Sequence, residues 1–97
     1  MMMALAADLV GEGIVVNGIA PGTVDTPFMG EIIAASHDPA ALRAGLEARQ
    51  PTGRMLDPAE IGHAVAYLAC PLVRSTTGAT IEIDGGMGTI RLPRRPA

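Results

Sequence analysis

The segment Asn17-Gly18-Ile19-Ala20-Pro21-Gly22-Thr23-Val24-Asp25-Thr26-Pro27 constrains this chain more than any other. It grows out of an apolar run, Ile14-Val15-Val16, and then cuts that run off. Ile14 to Ala20 is short, β-branched and nearly continuous in apolar residues, the pattern of a strand covered on both faces. Pro21 removes a backbone donor, and Gly22 permits conformations and close approaches closed to other residues. In an open parallel sheet, the loop leaving the carboxyl end of a strand is where ligands sit. The expectation is that the Thr26 hydroxyl and backbone groups of Pro21 to Asp25 face a ligand crevice.

Further along, two helices are punctuated clearly. Asp38 caps the first, with Pro39 at its first position, and it runs to about Arg49 before Pro51, with Leu42, Gly45 and Leu46 on one face. Asp57 caps the second, with Pro58 at its first position. Glu60 stands where a capping box needs it. Ile61, Ala64, Val65 and Leu68 form its apolar face, and Pro71 stops it after Cys70. Thr80 to Asp84 alternates as a second strand. At the other end, Met1 to Val10 is apolar on nearly every side and carries one charge, so it should be a buried helix. Gly11-Glu12-Gly13 should end it. A secretory signal does not fit, for want of a basic leader and a small-residue cleavage pattern, and the run is too short to span a membrane.

Taken together, these motifs resemble the short-chain dehydrogenase/reductases. Asn17 to Thr26 looks like that family's N-x-x-x-P-G-x-x-x-T segment. Gly53-Arg54 with Asp57 to Ile61 is similar to its G-R-x-x-x-P-x-E-[IV] turn. Thr77-Gly78 with Ile81 to Gly86 is similar to its closing strand, T-G-x-x-[IL]-x-[IV]-D-G-G. One departure is Val15, where the family often carries Arg or Lys.

The resemblance implies an α/β fold, the C-terminal portion of a Rossmann-type doubly wound parallel sheet with its last two strands and their helices. Residues 1–86 would form that portion, 27–56 its substrate-loop region, and 87–97 a flexible tail. It also implies NAD or NADP as cofactor, an alcohol or carbonyl compound as substrate, and a homo-oligomer as the complete enzyme. Pro21, Gly22, Val24 and Thr26 would touch the nicotinamide end.

Other parts of the family pattern are absent from the 97 residues. No Gly-rich turn precedes a helix: Gly11-Glu12-Gly13 precedes a strand, and Gly85-Gly86-Met87-Gly88 leads into a Pro-rich tail. There is no Lys, all seven basic residues being Arg, so no Tyr-x-x-x-Lys pair exists, and the single Tyr67 precedes Leu68-Ala69-Cys70-Pro71. Arg stays protonated and is a poor substitute. No catalytic residue is assigned, and Met1 is expected to lie within the family helix downstream of that Lys. A rival reading is a non-catalytic assembly module that binds a complete subunit through residues 57–84.

Each site residue also has a plainer role open to it. Thr26 would cap a turn; Asn17 would bond neighbouring backbone; Asp25 would cap the element at Phe28-Met29; Asp84 would fix the turn into Gly85-Gly86, or lie near a subunit contact. Phe28 and Met29 suit either a substrate wall or packing beneath the loop. A net charge of −3 leaves no footprint for nucleic acid. The lone Cys70 excludes an internal disulfide and fits a reducing, cytoplasmic setting, and His37 and His63 have no companions at metal-ligand spacing. With only 2% aromatic residues, the core rests on small aliphatic side chains. Leaving large ones in water costs roughly 1.5–3 kcal/mol each, against a total stability of about 5–15 kcal/mol. On that comparison the isolated chain should aggregate, oligomerise or need a partner.

Overall fold

The computed structural model describes residues 1–93. Helix α1 spans Met2–Leu9, β1 spans Gly18–Pro21, α2 spans Pro27–Ala34, α3 spans Pro39–Ala48, α4 spans Pro58–Ala69 and β2 spans Thr80–Ile83. The two strands are parallel neighbours, with Gly18 opposite Thr80 and Pro21 opposite Ile83. Helix α4 lies between them in sequence and contacts both strands. This strand–helix–strand order is the crossover expected of a parallel sheet.

Local sequence accounts for each boundary. Every helix from α2 to α4 begins with a polar cap followed by Pro. The Asp57 carboxylate accepts from the Ala59 N–H at 2.9 Å, and Glu60 accepts from the Asp57 N–H at 3.3 Å, completing the capping box. Asp38 accepts from the Ala41 N–H at 3.2 Å. Helix α1 passes into a single tighter turn, Val10–Glu12, closed by Gly13 in the left-handed region at φ 77°.

Several expectations need correction. Strand β1 begins at Gly18, four residues later than the apolar run proposed, and continues through Pro21. Only one flank of that run is paired. Before Gly18, the Val16 N–H donates to the Thr77 hydroxyl rather than to strand backbone. Strand β2 stops at Ile83, because Asp84 turns the chain. Asp25 does not cap the element at Phe28-Met29. Thr26 does, accepting from the Met29 N–H at 3.1 Å, and the element is an eight-residue helix.

Helix α1 is not buried as its composition proposed. Only Ala6 is covered, and Met3 is 71% exposed. On α3, Leu42 and Leu46 are half-buried but Gly45 is exposed; on α4, Ile61, Ala64 and Leu68 face inward while Val65 does not. The buried core is correspondingly small: Ala6, Ile33, Met55 and Leu56, with the polar Thr23 and Gln50. The radius of gyration is 17.2 Å, against about 13 Å for a closed domain of this length. No helix among the described residues is long and apolar enough to cross a membrane.

The start of α4 is held electrostatically as well. Arg54 reaches Glu60 at 2.7 Å, and the bond from Arg54 holds the Glu60 carboxyl below its ordinary range. A carboxylate with a depressed folded-state pKa stabilises the fold above its unfolded pKa and loses that contribution as pH falls through the folded value. Amide exchange at Asp57 and Ala59 is therefore expected to quicken as pH drops below the ordinary glutamate range, after correction for intrinsic rates. Asp57→Ala should cost about 0.5–2 kcal/mol in thermal unfolding.

Candidate cofactor-binding loop

Where β1 ends, its last backbone bond runs from the Gly22 N–H to the Ile83 carbonyl at 2.9 Å. A side chain at Gly22 has no room: a Cβ there would lie 3.0 Å from Asp84 Cα and 3.2 Å from Gln50 Oε1. The chain then enters a stretch stitched on one side to Met55-Leu56. The Leu56 N–H donates to the Thr23 carbonyl and the Asp25 N–H to the Leu56 carbonyl, both at 2.8 Å. This is a single parallel bridge centred on Val24.

The bridge decides which way Val24 faces. With the groups of Thr23 and Asp25 committed to Leu56, the Val24 N–H points the other way and has no partner among the described residues. Its carbonyl accepts from the Thr26 N–H at 3.0 Å. The Thr26 hydroxyl uses one lone pair for the Met29 cap, which leaves its proton free to donate. So the plain cap and a ligand contact coexist at Thr26. Pro21 is exposed and brings only a carbonyl, and Gly22 serves close packing. Of the four residues singled out in sequence, Val24 and Thr26 present donors, two residues apart.

Gln50 escaped sequence reasoning. Its side chain is 1% exposed, and each of its polar atoms is bonded. Oε1 accepts from the Thr23 N–H at 3.1 Å, while Nε2 donates to the Leu46 carbonyl at 2.8 Å and the Arg54 carbonyl at 3.1 Å. Gly85 lies against it: a Cβ there would come within 2.8 Å of Gln50 Cβ. The one sequence signal was a polar residue between the end of α3 and Pro51.

Around the loop, Asp84 fixes the adjacent turn as expected, accepting from the Gly86 and Gly88 N–H groups at 3.0 Å each. The Ile90 N–H closes the same turn on the Gly86 carbonyl. Residues 87–90 of the proposed tail belong to that turn, and residues 94–97 lie outside the described residues. Asp25 pairs with Arg43 of α3 at 3.6 Å, joining that helix to the loop. Phe28 is 70% exposed at the start of α2, so it does not pack beneath the loop, whereas Met29 is half-buried. An open cavity of 450 Å³ beside the loop is lined by Asp25, Arg54, Met55, Leu56, Asp57 and Pro58.

The amino end of the sheet is a different place. There the Asn17 amide donates to the Thr76 carbonyl at 2.9 Å and accepts from the Ala79 N–H at 3.1 Å, the structural role expected of it. Tyr67 hydrogen-bonds Thr76 at 3.2 Å, far from the loop at the carboxyl end. A cavity of 510 Å³ flanked by Cys70 and Arg74 is at this end too. Among the described residues, no three candidate ligands gather to hold a metal ion.

Comparison with known proteins places this geometry. The family model described as enoyl-(acyl carrier protein) reductase matches residues 1–88. The chain belongs to the short-chain dehydrogenase/reductase family. It is 45% identical over 84 residues to a 2-keto-3-deoxy-L-fuconate dehydrogenase of Xanthomonas campestris, covering 86% of this chain and 28% of that one. It is 43% identical over 83 residues to dehydrogenase/reductase SDR family member 6 of Danio rerio, covering 86% of this chain and 34% of that one. A short chain dehydrogenase family protein from Francisella tularensis superposes with a TM-score of 0.82 at 32% identity, over 93% of this chain and 39% of that one. An actinorhodin polyketide ketoreductase crystallised with NADPH superposes at 0.78 with 30% identity, over 92% and 36% respectively. The chain thus spans about a third of the length of the curated short-chain dehydrogenase/reductases it matches. Its parallel pair and helices are part of a Rossmann-type α/β sheet.

Gln50→Leu should free the Thr23 N–H in a buried setting, at a cost of about 1–3 kcal/mol for that group alone. The expected readout is faster amide exchange at Thr23 and a lower unfolding temperature. Unchanged exchange there would show that Gln50 does not hold the loop.

Proposed function

We propose that this chain supplies the nicotinamide-end loop and the substrate lid of an NAD(P)-dependent oxidoreductase acting on an alcohol or carbonyl compound. The observation that carries this reading is the Val24 N–H, held outward by the Leu56 bridge and left without a partner beside the Thr26 hydroxyl. A nicotinamide carboxamide offers a carbonyl acceptor, and two fixed donors at the carboxyl end of a strand suit it. When bound, the cofactor supplies or accepts the hydride.

The residues of the chain bind and orient. Val24 and Thr26 hold the carboxamide end. Helices α2 and α3, with Phe28 at the entrance, cover the site and limit water. Asp25 and Arg43 tie that lid to the loop. Nothing among the 97 residues matches the family's proton-transferring Tyr-x-x-x-Lys or its Gly-rich phosphate turn. A residue that would distinguish NAD from NADP follows that turn in the family fold, so either dinucleotide satisfies this half of the site. A homo-oligomeric complete enzyme and a cytoplasmic setting, in which the free thiol of Cys70 stays reduced, accord with the same reading.

A second reading is a non-catalytic module that assembles with a complete short-chain dehydrogenase/reductase subunit through residues 57–84. The coding sequence upstream of Met1 separates the two. An in-frame Tyr-x-x-x-Lys supports the enzyme, and a stop codon with a ribosome-binding site supports the module.

The purified 97-residue chain is expected to show no turnover of NADH or NADPH with a panel of alcohols and carbonyls, because it has no proton-transferring pair. Saturation-transfer NMR with NADH tests the loop itself. Transfer should be stronger to the nicotinamide protons than to the adenine protons, and Thr26→Val should weaken it. Transfer dominated by adenine would overturn the assignment.

A further inference from the structure

Asn17 is the sole Asn of the chain, and Gly18 follows it. Gly18 does not take a positive φ. A Cβ there would meet Thr80 Oγ1 at 3.5 Å, an ordinary contact. The fold therefore does not require glycine at this position. What glycine brings is chemical. No side chain hinders its nitrogen, and its backbone turns freely once released. Asn is a labile side chain, and its amide carbon can be attacked by the nitrogen of the next residue to close a succinimide ring.

In the folded chain every group of that reaction is held. The Gly18 N–H, the nucleophile, donates to the Ala79 carbonyl at 2.9 Å. Asn17 Oδ1, on the carbon to be attacked, accepts from the Ala79 N–H at 3.1 Å. Asn17 Nδ2, the leaving group, donates to the Thr76 carbonyl at 2.9 Å. On one side the Gly78 N–H donates to the Val16 carbonyl, and on the other Gly18 stands opposite Thr80, so the main chain is fixed in register. The side chain and the nitrogen are tied to separate groups of residues 76–79 and cannot turn to meet each other.

We propose that Asn17-Gly18 is a latent deamidation site, gated by the pairing of β1 with the segment that leads into β2. When residues 76–80 lift away, the Gly18 nitrogen bonds to Asn17 Cγ. The Cγ–Nδ2 bond breaks, and ammonia leaves with the proton that the Gly18 nitrogen gives up. Water then opens the succinimide. Cleaving its Cγ–N bond leaves aspartate at position 17, and cleaving the bond from the main-chain carbonyl to that nitrogen leaves isoaspartate.

Neither product restores the clamp. A carboxylate has no proton for the Thr76 carbonyl and sets negative charge against it. Isoaspartate also adds a methylene to the main chain, which shifts the residues after it against their β2 partners. A passing opening of the strand pair thereby becomes a permanent change.

The test incubates the full 97-residue chain in mildly alkaline buffer, with and without urea, and maps its peptides by mass spectrometry. In urea, Asn17 should exchange NH2 for OH and give both aspartate and isoaspartate, and Gly18→Ala should slow this. In the folded chain conversion should be about tenfold slower or more, by a factor set by how rarely the pair opens. Thr77→Val removes the bond from the Val16 N–H to the Thr77 hydroxyl. It should speed conversion of the folded chain and leave the rate in urea unchanged. Asn17→Asp should lower the unfolding temperature and quicken amide exchange at Ala79. Conversion as fast in the folded chain as in urea would overturn the gate, as would a folded rate indifferent to Thr77→Val. A rate in urea unchanged by Gly18→Ala would overturn the site, and unchanged exchange at Ala79 in Asn17→Asp would overturn the consequence.

Discussion

Gln50 is the joint on which the carboxyl end of this structure depends. One side chain, without charge, accepts from the loop at Thr23 and donates to the carbonyls of Leu46 and Arg54. It thereby ties the loop after β1 to the two segments on either side of it, the end of α3 and the turn leading to α4. Buried amides of this kind are stabilising only when every donor and acceptor is met, and here they are. Gly22 and Gly85 lack side chains where Gln50 and Asp84 crowd in. The direction of the Val24 N–H follows from this arrangement. Thr23 is fixed from one side by Gln50 and from the other by Leu56, so the peptide after it has one way to face.

Most of the element structure was legible in the sequence, for reasons specific to particular residues. Asp38-Pro39 and Asp57-Pro58 fix helix starts, because a side-chain acceptor and a preset φ satisfy the same first turn. Pro71 and the Gly11 to Gly13 segment fix helix ends. Less was legible where the outcome depends on what lies alongside. The apolar run from Ile14 reads as strand throughout, yet regular pairing begins at Gly18, since one flank of the run has no neighbour. Met1 to Val10 reads as buried, yet little covers it. In both cases composition records the surroundings a segment suits, and the structure records the surroundings it has.

The candidate site divides in the same way. The Pro21-Gly22 break, with Thr26 beyond it, pointed to the loop because strand ends and turn residues leave local signatures. Thr26 before Pro27 reads as a cap and is the cap of α2, whereas Asp25, one residue earlier, does not reach the Met29 N–H. Gln50 left no periodic pattern. Its partners are 4 residues away at Leu46 and Arg54 but 27 away at Thr23, and a contact of that separation has no periodicity to detect.

Two kinds of attachment hold α3, and they answer to different conditions. The Gln50 bonds are shielded from solvent and hold α3 at its carboxyl end whatever the salt. The Arg43–Asp25 pair sits in water, with both side chains 45% exposed, and mobile ions screen such pairs over a Debye length of about 8 Å at physiological ionic strength. Salt therefore acts on one attachment and not on the other. As ionic strength rises, the attraction between Arg43 and Asp25 weakens while the buried Gln50 bonds to α3 and to the loop stay in place.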